Sequence, residues 1–383
     1  MKILISGGGI AGLTLAYWLH RRGFQSIVID KAVEFKRIGY PLGTYGISAR
    51  ILEKMGLLPT LKQQSVELQE AAVADQNGCV IRKFNPGKYL DIAHHNLVLN
   101  RADLHLTLYD AVKEQVEIRL GHTIQAVNSD PDNVTVTFAN GQVETFDLLI
   151  GADGVHSATR DLVFGTDNFR RYFNVSFMAF FSQQDFGIGN CNYNLVMPRR
   201  YVGIGKYGQE TGAFFVYPAA VGQQISLESR KSFLLDQFSD CGWVIKDVIN
   251  SVIDPTQIFY DDMLQIVMPT WSSGRACLIG DAAHTLTLMS GKGAGMAILG
   301  AYVLAQALAT SDYKTAFRSY EQQLRPGIEA LQKDAMQMTQ MMMPKSALAV
   351  ALTHVYMRLI PEALFFRRMT KSAIGGDLCL DEI

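Results

Sequence analysis

The sequence predicts an α/β fold, in which a parallel-sheet domain carries an inserted, mostly antiparallel β domain and C-terminal helices. Three observations predict it. The chain opens with an apolar strand, a glycine turn and a helix. Residues 170–268 are rich in aromatic and turn residues and poor in helical patterns, and strand–turn–helix patterns return after Gly274. The parallel-sheet domain is therefore Rossmann-like and is built from separated pieces of the chain.

This division gives specific expected boundaries. We expect the Rossmann-like domain at residues 1–70, 101–168 and 269–330, the β domain at 71–100 and 169–268, and a helical tail at 331–383.

The first thirty residues predict the opening elements. The apolar run Lys2–Ser6 is typical of a buried strand, helical spacing extends over Leu13–Arg22 and stops at Gly23, and Ser26–Asp30 forms a second strand.

Later segments follow the same two periodicities. Residues 39–58 predict a glycine-rich loop and a helix, residues 65–100 alternate like strands, and another helix begins near Arg101. The strands VTVTFA and TFDLLIGA flank Asn140-Gly141, a dipeptide that favours tight hairpin turns. These strands predict an inserted antiparallel layer.

Composition excludes several classes of function. Lys and Arg number 35 against 36 Asp and Glu, so the net charge of -1 offers no basic field for nucleic acid. Five widely spaced cysteines favour a reducing compartment over disulfides or a zinc site, and we expect no bound metal. No window has the roughly 20 apolar residues of a membrane span. We therefore expect a cytoplasmic enzyme.

The glycines after the first strand predict a dinucleotide site. Gly7, Gly9 and Gly12 form G-x-G-x-x-G between a strand and a helix, and Asp30 ends the next strand. These glycines permit a tight turn, close approach of a pyrophosphate and close packing of the helix, while the acid binds ribose hydroxyls. The pattern does not distinguish FAD from NAD. The predicted contacts are Gly7, Gly9, Ile10, Ala11, Gly12, Asp30 and Lys31.

Two later motifs narrow the cofactor. LLIGADGVHSATR at 148–160 and GRACLIGDAAHTLTLMSGKGAG at 274–295 resemble the second and third signatures of the class A flavoprotein monooxygenases, the family of para-hydroxybenzoate hydroxylase. The resemblance covers about residues 1–330 and implies FAD. It implies further cofactor contacts at Arg101, Asp153, Arg160, Gly280, Asp281, Gly291, Gly293, Ala294 and Gly295. For Arg160 a salt bridge is an alternative to cofactor contact, and for Arg101 the alternative is solvation at the surface.

The chain departs from the family pattern at two positions. Leu288 stands where members commonly have proline, and Gly295 where many have asparagine. The sequences of the loop at 39–50 and of the third motif resemble the subgroup of tetracycline-inactivating and antibiotic-tailoring monooxygenases more than the simple phenol hydroxylases. This resemblance implies a bulky phenol- or enol-bearing substrate and a role in antibiotic modification.

The resemblance also implies a mechanism. NADPH or NADH, bound transiently, reduces FAD, O2 forms a C4a-hydroperoxide, and one oxygen atom passes to an aromatic, phenolic or polycyclic enol-type small molecule. The flavin carries the chemistry, so no catalytic side chain is assigned. An FAD-dependent reductase and a non-catalytic flavin-binding protein are the alternatives. The expected oligomeric state is a monomer or a homodimer.

Substrate contacts are inferred only from aromatic residues that could form a wall. The candidates are Tyr45, Tyr193, Phe214, Phe215 and Tyr217. The pair His94-His95 could deprotonate a phenol, although solvation explains it as well, and His284 is expected to be positional. The tail, with its methionine-rich run 336–343, is either an amphipathic surface anchor or a helix packed across the domain junction.

Overall fold

The computed structural model describes residues 1–37, 39–44, 46–66, 70–86, 97–166 and 169–365. In those ranges the strands are β1 (Lys2–Ser6), β2 (Gln25–Asp30), β3 (Pro41–Thr44), β4 (Glu70–Ala74), β5 (Val80–Phe84), β6 (Leu97–Asn100), β7 (Glu117–Leu120), β8 (Ile124–Ser129), β9 (Val134–Phe138), β10 (Val143–Phe146), β11 (Leu148–Gly151), β12 (Arg170–Ser182), β13 (Cys191–Met197), β14 (Arg200–Tyr207), β15 (Glu210–Pro218), β16 (Phe259–Ile266), β17 (Ser272–Ser273) and β18 (Ala276–Leu278).

The helices in the same ranges are α1 (Ile10–Arg21), α2 (Ile47–Lys54), α3 (Leu58–Gln64), α4 (Arg101–Val112), α5 (Ala158–Phe164), α6 (Arg230–Gln237), α7 (Ile245–Asn250), α8 (Asp281–His284), α9 (Gly293–Thr310), α10 (Tyr313–Met342) and α11 (Ala347–Leu359).

A six-stranded sheet organises the first part of the molecule. Its order is β17-β18-β11-β1-β2-β7, and all pairs except β17–β18 are parallel. Because β1, β11 and β18 are neighbours, the loops that follow them meet at one edge of the sheet. These three loops carry the three sequence motifs. The α/β fold with a Rossmann-like parallel sheet is thus confirmed.

The inserted antiparallel layer is also present. The strands β8, β9 and β10 form a three-stranded sheet, and β9 and β10 are joined through the turn at Asn140-Gly141. The segment TFDLLIGA is not one strand, however. It ends the hairpin at Phe146 and then enters the parallel sheet as β11, because Leu148–Gly151 is buried throughout.

A seven-stranded sheet forms the second layer, in the order β16-β12-β15-β14-β13-β4-β5. One face is covered by α6 and α7 through a large apolar core. The other face packs against the third-motif loop and the ends of α10 and α11. Alternate residues of each strand therefore face two different environments.

The C-terminal helices bind the layers together. α9 packs against α1, α2 and α10, and the 30-residue α10 buries Ile328, Leu331 and Ala335. One helix, α9, is long and apolar enough to cross a membrane, yet most of it is buried against these neighbours, as in a core helix. Packing of the methionine-rich run is thus favoured over surface anchoring, since Met343 is buried against the seven-stranded sheet.

Candidate active site

The glycine turn after β1 depends on close backbone approaches. Gly7 has φ +114°, and a Cβ atom there would lie 2.4 Å from the carbonyl oxygen of Ala152. A Cβ atom on Gly12 would lie 1.9 Å from the Gly7 oxygen, whereas one on Gly9 would meet no protein atom within 4 Å. α1 begins at Ile10 with no side-chain cap and no acidic residue in its first turn. The open space and the uncapped amides suit a pyrophosphate.

Asp30 shapes the same turn. Its two carboxylate oxygens accept hydrogen bonds from the backbone N–H groups of Gly8 and Ala32, each at 2.8 Å. A carboxylate has further lone pairs, so Asp30 can still accept from ribose hydroxyls. Lys31, next in the chain, is exposed.

His105, on α4, is a contact that the sequence analysis missed. Its Nε2 lies 2.7 Å from the carbonyl oxygen of Gly8, and its ring meets Phe35 edge-on at 4.6 Å. Burial lowers the pKa of His105, and a carbonyl can only accept, so Nε2 carries the proton. No local pattern marks this residue, because the contact joins positions 97 apart.

In the second motif, the carboxylate of Asp153 binds groups of its own loop and helix. The Asp153 carboxylate accepts hydrogen bonds from the N–H and Oγ1 of Thr159, both at 2.9 Å, and from the hydroxyl of Ser157. It therefore fixes the start of α5. The N–H of Asp153 lies beside Gly7, so the residue faces the cofactor region with its backbone.

Arg160 is a structural tether, which corrects the prediction that it contacts the cofactor. It is fully buried and donates hydrogen bonds to the carbonyl oxygens of Ala282, at 3.1 Å, and Val155, at 2.9 Å. Because Ala282 belongs to the third motif, Arg160 joins the second motif to the third. A guanidinium without solvent access and bonded to carbonyls has little capacity for a phosphate.

The third motif lies directly against the first. Gly280 has φ +59°, and a Cβ atom there would lie 2.9 Å from the Cβ of Ala11. The side chain of the next residue, Asp281, is exposed to solvent, although many protein atoms lie around its carboxylate. Desolvation raises the pKa of Asp281, while the nearby Arg101 guanidinium lowers it.

The loop after α8 ends at a second uncapped helix N-terminus. Gly291 is left-handed with φ +62°, and α9 begins at Gly293 with no side-chain cap. A Cβ atom on Gly293 would lie 3.8 Å from Asp281 Oδ1. Burial lowers the pKa of Lys292, at this N-terminus, to about 8. Free amides and a cation together favour an anionic group here.

The surroundings of Gly295 explain why this chain has glycine where many family members have asparagine. A Cβ atom on it would lie 3.2 Å from the hydroxyl oxygen of Ser48, on α2. The asparagine common in the family would therefore require Ser48 to move. α2 and α9 pack closely in this chain because both positions are small.

These features together fit FAD. The open glycine turn and the free N-terminus of α1 suit the ADP half, and Asp281 with the free N-terminus of α9 suits the ribityl and isoalloxazine half. The predicted contacts at Gly291, Gly293 and Ala294 lie at this second N-terminus.

Charged groups from three elements meet beside this region. The Arg101 guanidinium lies 5.7 Å from the centre of the Tyr40 ring. The backbone N–H of Arg101 donates to the backbone carbonyl of Tyr40 at 3.0 Å. Asp261, on β16, accepts from His156 Nε2 at 2.8 Å. Burial raises the pKa of both Tyr40 and Asp281, and the negative charge of Asp261 adds to this effect. The second motif, the third motif and the seven-stranded sheet thus converge here.

An aromatic surface adjoins these charges on the seven-stranded sheet. The Phe259 ring lies 5.2 Å from Tyr40 and 5.6 Å from Phe177, which in turn lies 5.4 Å from Phe214. Leu288 and Met289 of the third-motif loop pack against the same apolar cluster. We call Tyr40, Phe177, Phe214 and Phe259 the aromatic face.

Beside the aromatic face, β13 and β14 carry polar side chains. The Tyr201 hydroxyl donates to Asn194 Oδ1 at 2.5 Å, and Asn194 Nδ2 donates to the Ala72 carbonyl at 3.1 Å. Asn192 Nδ2 donates to the Tyr207 hydroxyl at 3.3 Å. None of these four side chains is among the contacts predicted from the sequence, although they alternate there with apolar residues.

Three of the predicted substrate residues lie on the opposite face, which corrects the prediction. Phe215 and Tyr217 are fully buried in the core beneath α6 and α7. Tyr193 packs on Trp243 at 4.8 Å in the same layer. Phe214 faces the third-motif loop instead. Tyr45, His94 and His95 lie outside the described residues.

Comparison with known proteins agrees with this geometry. Residues 1–332 match the protein family described as an FAD binding domain. The chain belongs to this FAD-binding family. A flavin-dependent monooxygenase from an unknown prokaryotic organism is 31% identical over 337 residues, which cover 86% of this chain and 87% of that protein. Another, from Legionella longbeachae, is 28% identical and is covered to 87% on both sides.

Two solved structures show the same fold. Tetracycline destructase Tet(55) is 28% identical with a TM-score of 0.80, and each chain is covered to 98%. Klebsiella pneumoniae HpxO, solved with FAD and uric acid, is 23% identical with a TM-score of 0.87, covering 99% of this chain and 98% of that one. The predicted class A type is thereby confirmed: the chain is an FAD-dependent monooxygenase.

Proposed function

We propose that this chain uses NADPH or NADH and O2 to transfer one oxygen atom to an electron-rich carbon of an aromatic, phenolic or polycyclic enol-type small molecule. The observation that carries the proposal is the aromatic face, which packs against the third-motif loop at Leu288 and Met289. The relatives support it, since the solved structures concern a tetracycline destructase and a protein that binds uric acid.

FAD, when bound, supplies electron transfer from the nicotinamide and the activation of O2. The protein contributes position and charge. The free amides at the N-terminus of α9, with Lys292, stabilise negative charge at that site. Asp30 and Asp281 would accept hydrogen bonds from hydroxyl groups of the cofactor. Gly7, Gly9 and Gly12 form the turn that would hold the pyrophosphate.

The seven-stranded sheet orients the substrate. Phe214 and Phe259 are partly exposed and can stack against a flat molecule and exclude water from it, while Phe177 is buried beside them and holds their rings in place. The linked amide and hydroxyl of Asn194 and Tyr201 give this face a polar end that can bind a carbonyl or hydroxyl group. A bulky substrate with one apolar surface and one polar edge fits this arrangement.

The test is a ligand screen on the purified yellow holoprotein under ¹⁸O2. Phenols, polycyclic enols and flat heterocycles are scored first by stimulated consumption of NADPH and NADH, and then by the mass of the product. We expect a product that gains one ¹⁸O atom. A product formed without that gain would replace oxygen transfer with the reductase alternative.

The Phe177→Ala variant tests the aromatic face directly. We expect a higher KM and oxidation of NAD(P)H uncoupled from product, with FAD content unchanged. Phe180→Ala, which removes a ring from the opposite face of the same strand, is the matched control for lost packing. Equal effects of the two variants on KM would contradict the assignment.

A further inference from the structure

α11 carries an apolar stripe on its outer face. The exposed side chains recur at helical spacing along one side. They are Leu348 at 72% exposure, Leu352 at 62%, Val355 at 50%, Tyr356 at 39% and Leu359 at 75%. Leucines this exposed seldom cluster on a protein surface without a binding role. We call these five residues the outer stripe.

The inner face of α11 is firmly attached. Met357 is 1% exposed and lies in the apolar cluster that also contains Phe177 and Tyr201. At the C-terminal end, Arg82 Nη1 donates to the carbonyl oxygens of Met357 at 3.0 Å, Arg358 at 3.0 Å and Ile360 at 2.6 Å. The outer stripe therefore lies on a fixed helix whose other face packs on the seven-stranded sheet.

Cations flank the outer stripe at both ends. Lys345 precedes α11 and Arg358 lies in its last turn, both exposed. Arg199, also exposed, is held at the N-terminal end because its N–H donates to the Pro344 carbonyl at 2.7 Å. Within the described ranges, none of these three side chains forms an ion pair, and residues 345–360 contain no Asp or Glu.

We propose that α11 docks the enzyme on the surface of an anionic phospholipid bilayer. Apolar side chains on one side of a helix, bordered by cations and with no acid among residues 345–360, match the interface between acyl chains and anionic headgroups. A second copy of the chain fits less well. One face of a 13-residue helix offers much less than the about 800 Å² per partner that a stable protein interface buries, and like cations would meet.

Vesicle flotation of the full-length holoprotein tests the proposal. The probes are vesicles of phosphatidylcholine alone and of equal parts phosphatidylcholine and phosphatidylglycerol. We expect binding to the anionic vesicles that weakens as salt rises, and little binding to the neutral ones. The double variant Leu348→Gln/Leu359→Gln should bind at least about tenfold more weakly. Lys345→Gln/Arg358→Gln should lose the preference for anionic lipid.

The matched control is Ile253→Gln, which removes an exposed side chain, at 97%, away from α11. It should bind like the unmodified protein. FAD content and melting temperature of every variant show that folding is intact. Failure of the unmodified protein to float with anionic vesicles would overturn the proposal. So would unchanged binding of the leucine variant, or a solution dimer that this variant converts to monomer without any vesicle binding.

Discussion

The glycines of the first turn have different physical roles, and two substitutions separate them. Gly12→Ala places a methyl group on the Gly7 carbonyl, so the turn must open, and we expect the free energy of unfolding to fall by about 1–3 kcal/mol. Gly9→Ala meets no protein atom, so stability should change by less than about 0.5 kcal/mol. FAD affinity should nevertheless fall at least about tenfold, because the methyl occupies the space of the pyrophosphate.

Urea unfolding of the apoprotein and fluorescence titration with FAD measure these two effects separately. Retained FAD affinity in the Gly9→Ala variant would show that the pyrophosphate lies elsewhere.

His284 gives the protein a predicted dependence of stability on pH. It is 3% exposed, its ring centre lies 4.7 Å from that of Trp271 in a tilted contact, and its Nε2 lies 3.3 Å from the Tyr320 hydroxyl. Burial lowers its pKa to about 4 from the ordinary 6.5. The unfolded chain therefore binds more protons between these values, and stability is lost as pH falls from 6.5 to 4.

This contribution is at most about 3 kcal/mol. Urea unfolding at pH 7 and pH 4.5 should show a smaller loss for His284→Gln than for the unmodified holoprotein. If the variant does not fold, proton uptake during unfolding of the unmodified protein provides the same test. An equal loss in both proteins, or no proton uptake, would contradict the neutral buried state.

At the scale of elements, local patterns determine what the sequence could predict. The glycine motifs and the hairpin at Asn140-Gly141 depend on neighbouring residues and on backbone conformations that few side chains tolerate, so they are legible in the sequence. Which face of β12 and β15 lines the site is not legible, because both faces of these two strands carry apolar side chains. Phe214 and Phe215 differ only by position, and their roles follow from the helices that cover each face.

Contacts between distant elements were likewise hidden from sequence reasoning. His105 meets the first glycine turn through α4, and Arg160 meets the third motif through α5. Neither residue carries a local signal, since His105 reaches the turn only when α4 packs on α1, and Arg160 reaches the third motif only when β11 and β18 are neighbours.

A buried pair of glutamines couples α10 to the third-motif loop. Gln332 Nε2 donates to the carbonyl oxygens of Ile266 at 2.8 Å and Thr285 at 3.1 Å, and Gln265 Nε2 donates to the Gln332 carbonyl at 2.7 Å. Gln332→Met removes the donor to the buried Ile266 carbonyl and leaves the Thr285 carbonyl with only the Ile266 N–H at 3.4 Å, which should lower the free energy of unfolding by about 2 kcal/mol. The loop should also hold FAD less tightly.

Urea unfolding and the rate of FAD release measure the effect of Gln332→Met. Lys333→Met is the control, because it introduces the same side chain at the adjacent exposed position. If both variants release FAD at the rate of the unmodified protein, α10 does not support the loop.

At the scale of the whole molecule, Arg37 joins the two layers on the side of α4. Its Nε donates to Asp103 Oδ1 on α4 at 2.8 Å, and its Nη2 to Glu210 Oε2 on β15 at 2.9 Å. The two acids are only 16% and 12% exposed, whereas Arg37 is 47% exposed. Both hydrogen bonds raise the pKa of Arg37. Without Arg37, two poorly solvated carboxylates would face each other across the junction.

Arg37→Ala should therefore lower the free energy of unfolding by about 2 kcal/mol, more than loss of a surface ion pair explains. Adding Glu210→Gln should restore part of the loss, because one of the two repelling charges is removed. The control Lys36→Ala breaks an exposed pair with Glu34 and should have little effect. Urea unfolding at low and high salt measures all three variants. Absence of rescue by Glu210→Gln would mean that Arg37 acts through its packing alone, since repulsion between the acids could then not account for the loss.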